Sequence, residues 1–237
     1  MPSCQLDAKI SRQSDNRYKI AANGHSEGFH LRTRVKICGI TRVEDARIAV
    51  AAGCDAIGLV FYRPSPRYVS LQRAAEIVAS LPPFVSVVGL FVDAEPGEIR
   101  QVLEQVRLDI LQFHGDESPQ ACEQFGMPYM KAIRMKADTN LLQYAEDFKQ
   151  AKALLLDAFI EGVPGGTGQI FDWNVIPKTL SMPVVLAGGL TPENISLALK
   201  QVQPYAVDVS GGVEINKGIK DADKIAAFMR GVSHASL

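Results

Sequence analysis

The stretch VKICGITRVEDARIAVAAGCDAIGLVF, residues 35–61, holds one complete structural unit. Val35-Lys36-Ile37-Cys38 is a short, mostly aliphatic run that breaks at Gly39. Residues 43–52 then carry apolar side chains at helical spacing, and residues 56–61 form a second aliphatic run. Strand, helix and strand in such close succession predict a right-handed crossover between neighbours of a parallel sheet.

The unit recurs along the chain. Strand-like runs occupy residues 35–38, 56–61, 85–91, 109–113, 129–134, 153–157, 184–187 and 206–209. Helical spacing fills residues 43–52, 71–81, 96–106, 119–125, 140–150, 192–201 and 221–229. Eight strands alternating with helices over roughly 200 residues predict a single (β/α)8 TIM barrel spanning residues 35–237. An open doubly wound sheet is the alternative. It is weakened because no G-x-G-x-x-G follows the first strand.

Residues 1–34 differ in kind. They are polar and show neither helical nor strand periodicity, which predicts a flexible extension rather than part of the barrel. Basic residues (Lys9, Arg12, Arg17, Lys19, Arg32, Arg34) outnumber acidic ones (Asp7, Asp15, Glu27), as in a transit peptide, but a disordered tail or a vector-derived or misassigned start fits better. The whole chain has a net charge of -1, which offers no electrostatic reason to expect nucleic acid or an anionic membrane as partner. No apolar segment approaches membrane-spanning length, and there is no secretory h-region. The four cysteines, Cys4, Cys38, Cys54 and Cys122, form no CxxC pair, which argues against a disulfide framework or zinc cluster and for the reducing cytoplasm.

A barrel presents its chemistry at the carboxyl ends of the strands. Those positions hold Cys38, Asp93, His114, Arg134, Asp157, Gly188-Gly189 and Ser210-Gly211-Gly212, whereas the strand bodies are apolar. Two glycine pairs after the last two strands suit a phosphate, because backbone N–H groups approach an anion closely only where no Cβ intervenes. Thr191 and Pro192 are the expected N-cap and first position of the following helix. Strand alternation puts Lys36 and Cys38 on one face, and Asp208 and Ser210 on one face of the last strand. The first and last strands meet when the barrel closes, so Lys36 and Asp208 are expected to pair inside it. A separation beyond about 6 Å would exclude that. Cys54 and Cys122 read as core; Cys38, at a strand end among polar residues, does not.

The motifs VKICGIT, DAIGLVFYRPSPRYVS, LQFHGDE, LLLDAF, GGTGQIFDW, LAGGLTPENI and VDVSGGVE run in order through the chain after residue 34. Together they resemble the phosphoribosylanthranilate isomerase family of tryptophan biosynthesis. The resemblance implies an Amadori rearrangement of a small phosphorylated substrate, without metal or cofactor, by a monomer or homodimer. It puts the general base on Cys38, the general acid on Asp157 and the substrate carboxylate on Arg67. Gly188, Gly189, Ser210, Gly211 and Gly212 would bind phosphate, and the Gly166–Gly168 loop would close nearby. His114 and Asp208 match active-site positions. Gly211, where the family often has serine, and Phe113, where leucine is commoner, depart from the pattern. Such a reaction needs Asp157 to hold a proton and Cys38 to lose one, for which Lys36 is the candidate source of positive charge. A histidine-pathway aldose–ketose isomerase would use aspartates for both roles, and Cys38 counts against it. A catalytically silent phosphate-binding barrel is opposed by the presence of both Cys38 and Asp157.

Overall fold

The structure is a computed structural model that describes residues 32–136, 138–158 and 171–235. The first 31 residues, and the expected Gly166–Gly168 loop, lie outside the described residues. Eight parallel strands close into a barrel in chain order: β1 (Arg34–Cys38), β2 (Ala56–Val60), β3 (Ser86–Phe91), β4 (Ile110–Phe113), β5 (Tyr129–Met135), β6 (Ala153–Ala158), β7 (Val184–Leu186) and β8 (Ala206–Val209). The helices are α1 (Val43–Ala51), α2 (Leu71–Ala79), α3 (Pro96–Gln105), α4 (Pro119–Glu123), α5 (Leu141–Asp147), α6 (Ile195–Val202) and α7 (Ala222–Ala235). Closure pairs β1 with β8 and places Lys36 opposite Asp208 in register. The doubly wound alternative is thereby excluded.

Local chemistry sets the helix starts. The Ser70 and Ser118 side chains accept the backbone N–H of Arg73 and Ala121 at 3.2 Å each, capping α2 and α4. Pro96 and Pro119 stand at the first helical positions, where a missing N–H costs nothing. At α6 the expectation fails. The helix begins at Ile195 with Asn194 as its N-cap, three residues beyond Pro192. Asn194 is drawn back into the preceding loop instead: its Oδ1 accepts the Thr191 N–H at 2.9 Å and its Nδ2 donates to the Gly189 carbonyl at 2.8 Å. Residues 192–194 therefore form a turn that braces the glycine loop.

The strands are buried on both faces, as a parallel sheet under helices must be. Side chains such as Ile37, Ile57, Leu111, Leu156 and Val207 face outward into the large sheet–helix core. Val88, Met130, Ala132, Leu155, Val185 and Ala206 belong to a separate inner cluster that plugs the lumen. Above that plug the inward-facing positions turn polar: Lys36, Gln112, Asp157 and Asp208 are all buried. Apolar filling below and buried charge above define which end of the barrel can do chemistry. Cys54 and Cys122 are buried and free, and burial pushes each thiol up to about 12, as inert core cysteines require. Among the described residues no helix is long and apolar enough to cross a membrane.

A two-stranded hairpin, β9 (Glu214–Asn216) and β10 (Ile219–Lys220), follows β8 and has no counterpart in the expected elements. Its turn docks on the loop after β1, where the Thr41 hydroxyl donates to the Gly218 carbonyl at 2.5 Å. The hairpin base is tied to α1 as well: the Lys220 N–H donates to Asp45 Oδ2 at 3.2 Å.

Candidate active site

Lys36 and Cys38 project inward from β1, one pleat apart, beside Asp208 of β8. Lys36 Nζ lies 2.7 Å from Asp208 Oδ2, so the expected pair forms. Both side chains are almost wholly buried, at 5% and 8% exposure. Burial alone would depress the Lys36 ammonium, but the Asp208 carboxylate, with Cys38 beside it, raises it above the ordinary lysine value. Among the described residues Asp208 Oδ1 has no hydrogen-bond partner, which leaves one carboxylate oxygen available inside the site.

Cys38 is 5% exposed. Burial pushes its thiol up, Lys36 opposes that, Asp208 reinforces it and Lys220 opposes it more weakly. The net direction is upward, with Lys36 the strongest influence in the direction expected of it. Removal of water from around the sulfur is the largest influence, and Lys36, paired with Asp208 at 2.7 Å, offsets only part of it. Space for the sulfur comes from Gly58, its register partner on β2. A Cβ on Gly58 would stand 2.7 Å from Cys38 Sγ and 3.1 Å from Lys36 Cε.

Across the lumen, Asp157 is the penultimate residue of β6 and His114 follows β4. His114 Nε2 lies 3.2 Å from Asp157 Oδ2, though without the alignment of a good hydrogen bond. Its Nδ1 is 3.1 Å from Gln112 Nε2. An amide nitrogen only donates, so Nδ1 accepts and the Nε2–H lies on the side of the ring nearer Asp157. The ring therefore stands beside Asp157. The backbone of this loop is pinned from below. Lys131 Nζ donates to the Gly115 carbonyl at 2.6 Å and to Glu117 Oε2 at 3.0 Å, and Arg134 Nη2 donates to the His114 carbonyl at 3.1 Å.

The two glycine loops meet. Gly188 and Gly189 have φ of 78° and 68°, conformations that favour glycine. A Cβ on Gly188 would collide with the Ala158 backbone nitrogen and stand 2.7 Å from Asp157 Oδ1. A Cβ on Gly212 would collide with the Leu190 carbonyl oxygen, so the β7 and β8 loops pack backbone against backbone. Gly211 begins a short 3-10 turn, Gly211–Val213, and Ser210 precedes it. The loops create a surface of main-chain groups alongside Asp157.

Arg67 is half-buried on the β2–α2 loop, where its Cδ would stand 2.5 Å from a Cβ on Gly39. It does not form a surface ion pair. Its Nε and Nη2 donate to Glu214 Oε1 and Oε2 at 2.8 and 2.7 Å. Lys220 Nζ donates to the same Oε1 at 2.8 Å and to the Ser210 carbonyl at 3.2 Å. Burial would raise the Glu214 carboxyl, but Arg67 and Lys220 hold it below its ordinary value. Glu214 and Lys220 were not among the expected site residues. The only sequence signal was their position in VDVSGGVEINKGIK, either side of an Asn-Lys-Gly turn. Among the described residues no three His, Cys, Asp or Glu side chains come together as metal ligands would.

Residues 35–231 match the family model for N-(5'-phosphoribosyl)anthranilate (PRA) isomerase. A Nitrosococcus oceani protein named N-(5'-phosphoribosyl)anthranilate isomerase is 62% identical over 202 residues, covering 85% of this chain and 98% of that protein. The crystal structure of phosphoribosyl anthranilate isomerase from Thermotoga maritima matches with a TM-score of 0.79 and 39% identity, over 85% of this chain and 99% of that one. A structure of the enzyme in complex with reduced 1-(o-carboxyphenylamino)-1-deoxyribulose 5-phosphate matches with a TM-score of 0.76 and 39% identity, over the same shares of the two chains.

Proposed function

The chain belongs to the PRA isomerase family, and from that membership we propose a cofactor-free Amadori rearrangement in which Cys38 is the general base and Asp157 the general acid. The protein is an aldose–ketose isomerase of tryptophan biosynthesis. One observation carries the mechanism. Cys38, Asp157, Arg67 and both glycine loops belong to the carboxyl end of one closed barrel, above an apolar plug. Acid, base and anion-binding groups therefore surround a single small substrate.

N-(5-phosphoribosyl)anthranilate would lie with its phosphate against the backbone of Gly188-Gly189 and Ser210-Gly211-Gly212 and its ring carboxylate toward Arg67. The Asp157 carboxyl gives its proton to the furanose ring oxygen. The C1–O bond breaks, the ring opens and the nitrogen lone pair forms an iminium. The Cys38 thiolate then takes the C2 proton, and the electron pair left behind neutralises the iminium to an enolamine. Tautomerisation delivers the 1-deoxyribulose ketone, with one proton passed to Asp157 and one returned by Cys38. His114, with its Nε2 proton toward Asp157, orients that carboxyl and stabilises it once the proton has gone. Phosphate and carboxylate contacts hold both reacting carbons between acid and base, an orientation that contributes several kcal/mol.

The test is direct. Freshly made phosphoribosylanthranilate, incubated with the protein in the presence of EDTA, is expected to lose its anthranilate fluorescence with catalytic turnover. No turnover would overturn the activity, and turnover only after added metal would overturn the cofactor-free mechanism.

Gly58 supplies a second prediction. Gly58→Ala places a methyl 2.7 Å from Cys38 Sγ and 3.1 Å from Lys36 Cε, so the sulfur must move. A displacement near 1 Å costs about 100-fold in rate when it misaligns a reacting group. Turnover in the same assay is expected to fall about 10- to 100-fold. An unchanged rate would mean that the C2 proton does not go to Cys38.

A further inference from the structure

We propose that Glu214, braced by Lys220, is the positioning residue that fixes the Arg67 guanidinium for the carboxylate on the substrate's aromatic ring. The inference deepens the proposed function and rests on it. Three observations carry it.

The first is how the fork is used. Arg67 spends its Nε and Nη2 edge on Glu214 at 2.8 and 2.7 Å. A guanidinium is planar and rigid, so a bidentate grip on one edge sets the direction of the remaining Nη1 donors. The Arg67 stem lies over Gly39, the residue after Cys38. The free edge is therefore aimed from a fixed point beside the proposed base.

The second is charge. An Arg67–Glu214 pair alone would be neutral and a weak receptor for an anion. Lys220 changes that. Its side chain is fully buried, and its Nζ stands 2.8 Å from the same Glu214 oxygen. Burial lowers the Lys220 ammonium and Glu214 opposes that; with Lys220 protonated, the Arg67, Glu214 and Lys220 cluster carries a net charge of about +1. Glu214 can then orient Arg67 without cancelling its attraction for a carboxylate.

The third is reach. Lys220 Nζ also donates to the Ser210 carbonyl at 3.2 Å. One buried cation thus couples the arm that would read the ring carboxylate to the loop that would hold the phosphate. A core needs no such cluster for stability, since buried ions repay their desolvation poorly and apolar packing serves as well.

The experiment is equilibrium binding of two probes to the purified full chain. One is reduced 1-(2-carboxyphenylamino)-1-deoxyribulose 5-phosphate, and the other is its 1-phenylamino counterpart without the carboxylate. The wild type is expected to prefer the carboxylated probe by about 10- to 100-fold, the range of a charge-assisted hydrogen bond. Glu214→Gln, which is isosteric, is expected to cut that preference about tenfold. Lys220→Met, matched in volume, is expected to cut it in the same direction through the lost charge. In an Arg67→Lys background, Glu214→Gln should change nothing further, because its effect passes through the guanidinium fork. A merely structural role would weaken both probes alike and leave their ratio unmoved. An unchanged ratio in Glu214→Gln, or an additive effect in the Arg67→Lys background, overturns the inference. Turnover by the wild type with no preference between the probes overturns it too, while leaving the isomerase assignment standing. Absence of turnover instead removes the reading beneath it.

Discussion

Cys38→Ala is expected to lower kcat for phosphoribosylanthranilate by about 100- to 10,000-fold, the usual contribution of a positioned general base. The residual rate would come from orientation and ring opening, which the substitution leaves in place. The pH dependence carries the sharper test. Only the thiolate accepts the C2 proton, and burial raises the thiol above its ordinary value. The working fraction therefore grows as pH rises. log(kcat/KM) should climb with a slope near one through neutrality and onward past the ordinary cysteine range. In Cys38→Ala that limb should vanish.

Lys36 sets where the limb lies. It is the strongest lowering influence on the thiol, with Lys220 a weaker one. Lys36→Met removes that influence, and the limb should move to higher pH. The sign holds whether Asp208 then stays charged or takes up a proton, because neither form replaces the lost cation. A limb that moves to lower pH, or does not respond to Lys36, would show that another group is the base. The buried pair also makes Lys36→Met destabilising by about 3–5 kcal/mol, since Asp208 is left without its partner. Rates must accordingly be taken well below the melting temperature.

Asp157→Asn is expected to cost a comparable 100- to 10,000-fold in kcat. The amide has nearly the shape of the acid but no proton to give the ring oxygen. The loss falls on ring opening, which precedes removal of the C2 proton. The two variants can therefore be told apart with substrate deuterated at C2. When Asp157→Asn makes ring opening limiting, the deuterium effect on kcat should shrink toward one. A variant slowed at the base, such as Cys38→Ser, should keep or enlarge it. Full activity in Asp157→Asn, or a large deuterium effect retained in it, would remove Asp157 from the acid role. His114, 3.2 Å from Asp157, would then be the group to examine.

Much of this site is legible in sequence because its logic is local. Period-two alternation decides which side chains of a strand share a face, and short helices between strands dictate parallel pairing. That was enough to bring Lys36 to Asp208, 172 residues apart in the chain, through closure of β1 on β8. It also located the glycine loops, since strand ends and turn glycines are both visible as residue types. The start of α6 departs from its local signals for an equally physical reason. Thr191-Pro192 is a good helix opening, but Asn194 is claimed by the Thr191 N–H and the Gly189 carbonyl. Tertiary bracing of the loop outweighed local propensity.

The amino-acid sequence by itself determined the barrel, the face on which each strand residue stands and the end at which the polar residues gather. Those follow from backbone geometry and burial, which repeat every two or 3.6 residues. Only the tertiary structure decided the electrostatics. It joined Arg67 to Glu214 across 147 residues, put Lys220 behind them and cut the room for Cys38 out of Gly58. It also set burial of the Cys38 thiol against the charge of Lys36, because a charge acts according to its distance, its neighbours and the water removed around it. Spacing along a chain carries none of those three quantities.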